Sequence, residues 1–119
     1  MRDFKKIAFW ERSVDFALTV YRKTQSFPQE EMYGLTSQIR RAATSIPINI
    51  AEGCGRESKK DFMHFLQIAE GSASEVECIL ILAKRLNYLS EEESNAMSEE
   101  IGQIKKMIRS FKIKLESDL

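Results

Sequence analysis

The sequence predicts an all-α protein: a single domain over residues 1–119 folded as an antiparallel, up-down-up-down four-helix bundle. Three observations carry that expectation. Apolar residues recur at three- and four-residue steps through four long segments, the spacing that gives a helix one apolar face. Only two prolines and five glycines punctuate the 119 residues. No Asn-Gly or Asp-Gly turn separates alternating strands, so no hairpin is signalled. Four amphipathic rods joined by short breaks bury their apolar faces best as antiparallel neighbours. A chain of this length buries about two-thirds of its unfolded surface and needs no covalent staple.

The first segment runs from about Ala8 to Ser26, with Trp10, Val14, Ala17, Leu18 and Tyr21 as its apolar stripe. "SFPQEEMYG" breaks it, because Pro28 disfavours helical backbone at Phe27. The second runs from about Tyr33 to Glu52, with Leu35, Ile39, Ala42, Ala43, Ile46 and Ile50 on one face. "EGCGR" ends it, Gly53 and Gly55 being free to take the left-handed conformation of a helix terminus. Pro47 lies inside this segment. Proline there removes one backbone hydrogen bond and crowds the carbonyl of Ala43, which predicts a kink over Thr44–Pro47. The hydroxyls of Thr44 and Ser45 are at hand for freed carbonyls.

The third segment opens with Ser58 and Asp61 as a capping pair and continues to about Leu86. Its main series includes Phe62, Phe65, Leu66, Ala69, Ala73, Val76, Leu80 and Ala83; a second holds Ile68, Ser72, Ile79 and Leu82. Gly71 in its interior costs about 1 kcal/mol against alanine, which a close helix approach would justify. In the fourth, Ser90 and Glu93 form a capping box. Met97, Ile101, Ile104, Ile108, Phe111 and Leu115 then step 4-3-4-3-4, a heptad seam.

The chain carries 18 Lys/Arg against 18 Asp/Glu. A neutral total argues against a uniformly basic nucleic-acid binder but leaves room for a local basic patch. No apolar run reaches membrane-spanning length and no signal peptide is evident, so a cytoplasmic protein without membrane attachment is expected. Cys54 and Cys78 form no CxxC motif, so neither zinc nor thiol–disulfide chemistry is signalled. His64, the one histidine, has no nucleophile or carboxylate partner in any recognisable motif, and there is no HExxH or ExxH for a metal. "GCGRES" lacks the strand and the spacing of a phosphate-binding loop. No catalytic residue, cofactor or metal site is expected, and the chain is read as a non-enzyme.

The most distinctive stretch is "RRAATSIPINIAEGCGR". Asn49 and Glu52 lie three apart and share a face; with Ser45 and the nearby arginines they suit a partly buried polar cluster. Two readings stay open: an internal pin between helices, or a recognition surface for a partner.

This stretch, within "YGLTSQIRRAATSIPINIAEGCGR" and followed by "FLQIAEGSASEVE", resembles the four-helix bundle proteins first found as reading frames in intervening sequences of bacterial 23S rRNA genes. The resemblance runs from "FWERSVDF" to "LAKRLNYLS" and includes Gly34-Leu35, the run from Ser37 to Ala42, Ser45-Ile46-Pro47, the run from Asn49 to Gly53, Arg56, and Gly71-Ser72. It implies a left-handed bundle assembled as a homopentamer. A related branch, the accessory variability protein of diversity-generating retroelements, is a basic pentamer that binds reverse transcriptase and nucleic acid; the present chain is neutral.

Two functions follow as expectations. One is an oligomeric interaction module contacting RNA or an RNA-handling protein, with Arg40, Arg41, Arg56, Lys59 and Lys60 meeting phosphates. The other is a protein-binding scaffold with no nucleic-acid contact. Phe16, Val20, Ile68, Ile79 and Leu82, off the main apolar stripes, are the candidate subunit-interface residues.

Overall fold

In the computed structural model, which describes residues 2–118, four α-helices follow one another: α1 (Ala8–Thr24), α2 (Leu35–Cys54), α3 (Lys59–Arg85) and α4 (Glu91–Ser117). Short 3-10 turns at Phe4–Lys6 and Gln29–Glu31 precede α1 and α2. No strand occurs among the described residues. Each helix packs on the next and α1 closes against α4. Cross-helix pairs fix the directions. Thr24 meets Arg40, Ser45 meets Ser72, Glu77 meets Lys105, and Arg12 meets Glu100 while Lys23 meets Glu93. Gly53 lies against Phe62, and Lys59 reaches Asp118. Rising numbers on one helix meet falling numbers on the next, so neighbours run antiparallel.

The core is one apolar column. Val20, Ile39, Ile46, Ile50, Leu66, Val76, Leu80, Ile101, Ile104 and Ile108 are fully buried. Each such side chain contributes roughly 1.5–3 kcal/mol relative to exposure. The heptad seam of α4 supplies Met97, Ile101, Ile104, Ile108 and Leu115 to it, with Phe111 half-buried at the edge.

The caps explain the boundaries. Ser90 accepts from the Glu93 N–H while the Glu93 carboxylate accepts from the Ser90 N–H, satisfying two orphan donors of α4. Ser58 caps α3 by accepting from the Asp61 N–H. At the other end of α3, Asn87 takes the left-handed conformation (φ 64°). Its N–H donates to the Lys84 carbonyl and the Tyr88 N–H to the Ala83 carbonyl, a Schellman closure with asparagine in the usual glycine place.

Several expectations are corrected. In α1 the buried face is Phe9, Ser13, Phe16, Ala17, Val20 and Thr24. The predicted stripe, apart from Ala17, lies outside the core: Trp10 and Val14 are half-buried, Leu18 and Tyr21 exposed. The helix has two apolar faces, and Ser13 and Thr24 hide one of them in the sequence. They enter the core because their hydroxyls donate to the carbonyls of Trp10 and Val20. Neither Gly53 nor Gly55 is left-handed. Gly53 is inside α2, where a Cβ would stand 2.8 Å from the Phe62 ring and 3.0 Å from Phe65 Cβ; the missing side chain lets α2 and α3 close together. Gly71 is not a close-approach site, since a Cβ there meets nothing within 4 Å.

Candidate interaction surfaces

Helix α2 runs unbroken through Pro47, which is buried. The hydroxyls near the proline do different work from that expected. Thr44 Oγ1 donates to the carbonyls of Arg40 (2.9 Å) and Arg41 (3.2 Å). Ser45 Oγ crosses to α3, where it shares a 2.9 Å hydrogen bond with Ser72 Oγ. Asn49 Nδ2 donates to both the carbonyl and the hydroxyl of Ser45, each at 2.8 Å. Ser45, Asn49 and Ser72 therefore form one partly buried polar seam between α2 and α3. Glu52 does not join it. One turn beyond Asn49 its carboxylate faces solvent and accepts from Arg56 at 2.8 Å.

The five predicted phosphate-binding cations do not form one patch. Arg40 and Arg41 lie some fifteen residues before Arg56 on or near α2, roughly 22 Å along the axis. Arg40 is held against α1: its Nε donates to Thr24 Oγ1 at 2.9 Å and its guanidinium sits 4.6 Å above the Tyr21 ring. Arg56 stacks 4.7 Å over Phe65 as well as pairing with Glu52. Lys59 Nζ donates to the Asp118 carbonyl at 2.6 Å, tying α3 to the end of α4. Arg41 and Lys60 are exposed. His64 is exposed, its ring edge-on to Phe65.

Of the predicted interface residues, Phe16, Val20 and Ile79 are core residues, 3%, 0% and 4% exposed. On α1 the reason is the reversed choice of face. On α3 the helix is wide enough to bury both its main stripe and Ile79. Ile68 and Leu82 are exposed, and Leu86 lies one turn beyond Leu82 on the same side, also exposed. One apolar groove was missed. Between α1 and α2, Trp10, Val14, Leu18, Tyr21, Pro47 and Ile48 line an open groove of about 370 Å³. Leu18 is 51% and Ile48 61% exposed. The second apolar series of α1 was its signal.

Two carboxylates pin helix pairs. Glu70 is buried on α3 between Lys112 and Arg109 of α4, the latter at 3.2 Å. Burial alone pushes its carboxyl up, but the hydrogen bonds and charges of Lys112 and Arg109 outweigh that and hold it below the usual carboxylate range. Glu31 accepts from the Leu35 N–H at 3.1 Å and from the Tyr88 hydroxyl at 2.8 Å, joining the α1–α2 connection to the α3–α4 turn. Those two bonds lower its carboxyl, the Leu35 N–H most. A Cβ on Gly34 would come within 2.8 Å of the Glu31 carboxylate, so Gly34 makes room for the pin. Burial raises the Cys54 thiol, and Cys78 is exposed. Among the described residues no group of His, Cys, Asp and Glu is placed to hold a metal, and no helix is long and apolar enough to cross a membrane.

The fold and these surfaces define a class: an all-α four-helix bundle whose distinctive motif residues join helices to one another and whose outer face keeps an apolar groove. The chain belongs to the 23S rRNA-intervening sequence protein family, which it matches over residues 5–110. Among solved structures it is similar to a protein of unknown function from the S23 ribosomal protein family of Bacteroides thetaiotaomicron. The two share 28% identity and a TM-score of 0.81, over 87% of this chain and 94% of that one. No curated protein matches the chain.

Proposed function

We propose that this protein is a non-enzymatic, self-associating interaction module whose partner is RNA or an RNA-handling protein. The observation that carries it is the α1–α2 groove. Leu18, Tyr21 and Ile48 are large apolar side chains clustered in one exposed groove. A contiguous apolar surface of this kind on a small soluble domain marks an interaction site. Ile68, Leu82 and Leu86 are further large apolar side chains exposed along one side of α3, unlike the groove in composition and shape. Two unlike faces on one chain suit a head-to-tail contact, which closes into a ring when the rotation allows. A homopentamer is the ring that the family resemblance implies. Arg41 and Lys60, exposed, and Arg40, Arg56 and Lys59, each partly engaged within the chain, would then be repeated around the ring. Repetition raises the avidity of individually weak phosphate contacts.

Light scattering on a sizing column tests the assembly. The wild-type chain is expected as an oligomer larger than a dimer at micromolar concentration, and Leu18→Glu/Ile48→Glu as a species no larger than a dimer, of unchanged helicity; a wild-type monomer would overturn the proposal. Gel shifts with structured rRNA fragments at two salt levels test the partner. Binding that weakens steeply with salt supports phosphate contacts. Absence of binding, together with a native partner that survives RNase in a pull-down, favours the second reading, a protein-binding scaffold.

A further inference from the structure

The outer face of α4 beside α1 carries opposite charges at its two ends. Toward its N-terminus, Glu92 and Glu100, with Asp15 of α1 and the ion pair of Lys23 with Glu93, rim a cleft of about 520 Å³ against the buried Phe16 and Met97, leaving an acidic excess. Toward its C-terminus, Lys106 and Lys114 rim a second groove with Phe9, Phe111 and Ser110, and no carboxylate lines it. Gln103 lines the second groove at the end nearer the first in sequence. The arrangement is symmetric about that residue. Glu100 and Lys106 stand three residues to either side, Ala96 and Ser110 seven, and Glu92 and Lys114 eleven. These three- and four-residue steps keep all seven on one face of the helix.

In an antiparallel helix pair, facing residues have a constant sum of residue numbers. A two-fold axis through Gln103 therefore sets Glu92 against Lys114, Glu100 against Lys106 and Ala96 against Ser110 of a second copy, each contact occurring twice. At the axis itself, where like must meet like, the residue is neutral. At the flanking contacts the residues are small, which permits helix axes to approach within roughly 8–10 Å. Glu100 is already held by Arg12 at 2.6 Å, so Lys106 of the second copy would complete a three-membered charge network. Glu92 is exposed. The partner this face requires has its charge pattern reversed end to end, and the chain itself carries that pattern.

We infer that two copies of this chain pair antiparallel through the outer face of α4, about a two-fold axis at Gln103. The contact is isologous and uses none of the α1–α2 groove residues.

Cysteine cross-linking of the full chain tests it, in a Cys78→Ser background that removes the exposed native thiol. Gln103→Cys is expected to form a covalent dimer under mild oxidation at least roughly tenfold faster than Ser98→Cys, because only the axial position holds the two thiols together. Ser98 is exposed on α4 but turned about 140° away. Adding Lys106→Glu/Lys114→Glu, or Glu92→Lys/Glu100→Lys, is expected to abolish the fast cross-link, and mixing the two reversed chains to restore it. That restoration also shows that both reversed chains are folded. Cross-linking at Gln103→Cys no faster than at Ser98→Cys, or a mixture that stays uncross-linked, would overturn the pairing. The fast cross-link is expected to persist with Leu18→Glu/Ile48→Glu, which separates this contact from the groove.

Discussion

Helices α1 and α4 are neighbours in the bundle, yet their outward sides differ in kind. Beyond its core face, α1 carries a second apolar face made of Trp10, Val14, Leu18 and Tyr21. Beyond its core face, α4 carries charge, acidic toward the start and basic toward the end. The two sides therefore obey different physics. Apolar contact is driven by release of water and responds little to salt, whereas contact between exposed charges is screened within about 10 Å at 0.1 M salt. One molecule thus presents an apolar and a charged surface on different helices, and association through the first would tolerate salt while association through the second would not.

The largest expected effect breaks the apolar side. Leu18→Glu/Ile48→Glu places two carboxylates in the groove and is expected to weaken assembly through it by at least roughly a hundredfold, about 2.7 kcal/mol, read in light scattering as loss of every species larger than a dimer. A salt titration sharpens the contrast. Raising salt from about 0.05 to 0.5 M is expected to slow Gln103→Cys cross-linking several-fold while the sizing profile set by the groove stays unchanged.

The close α2–α3 approach is more modest in its effect. Gly53→Ala is expected to cost about 1–3 kcal/mol by overpacking against Phe62, measured by urea unfolding. Ser45→Ala, which removes the two hydroxyl bonds of the polar seam, with Ser72 and from Asn49, and leaves Asn49 with its bond to the Ser45 carbonyl, is expected to cost about 1–2 kcal/mol. The smallest effect is a pH dependence. The Glu70 carboxyl lies lower in the folded chain than in the unfolded one, so its contribution is complete above the ordinary carboxylate range and is lost as pH falls through the lowered native value. Thermal melts of the wild type and Glu70→Gln at falling pH should converge; a constant gap would contradict the pairing with Lys112 and Arg109.

Much of the bundle was legible because periodicity alone identifies a helix with one apolar face. The α4 seam and both capping serines were readable for that reason, and so was the main stripe of α3. Helix α1 was misread because it has two apolar faces, and the inner one includes Ser13 and Thr24, polar residues satisfied by their own backbone. Gly53 looked like a helix terminator because a glycine needed for close packing and one needed for positive φ are the same letter. The candidate cations are spread out because the length of α2 separates Arg40 and Arg41 from Arg56, Lys59 and Lys60.

By itself the sequence determined four amphipathic helices, where three of them begin, and a polar motif centred on Ser45 and Asn49. Those follow from local rules: spacing of apolar side chains, capping chemistry and the restriction around proline. Only the tertiary structure decided which of the two α1 faces is inside and that Ser45 reaches Ser72. It also separated Glu52 from the seam and placed acidic and basic ends along one α1–α4 face. Those outcomes depend on which surfaces of distant segments come into contact, and burial is a property of the pair of surfaces that meet, not of either segment alone.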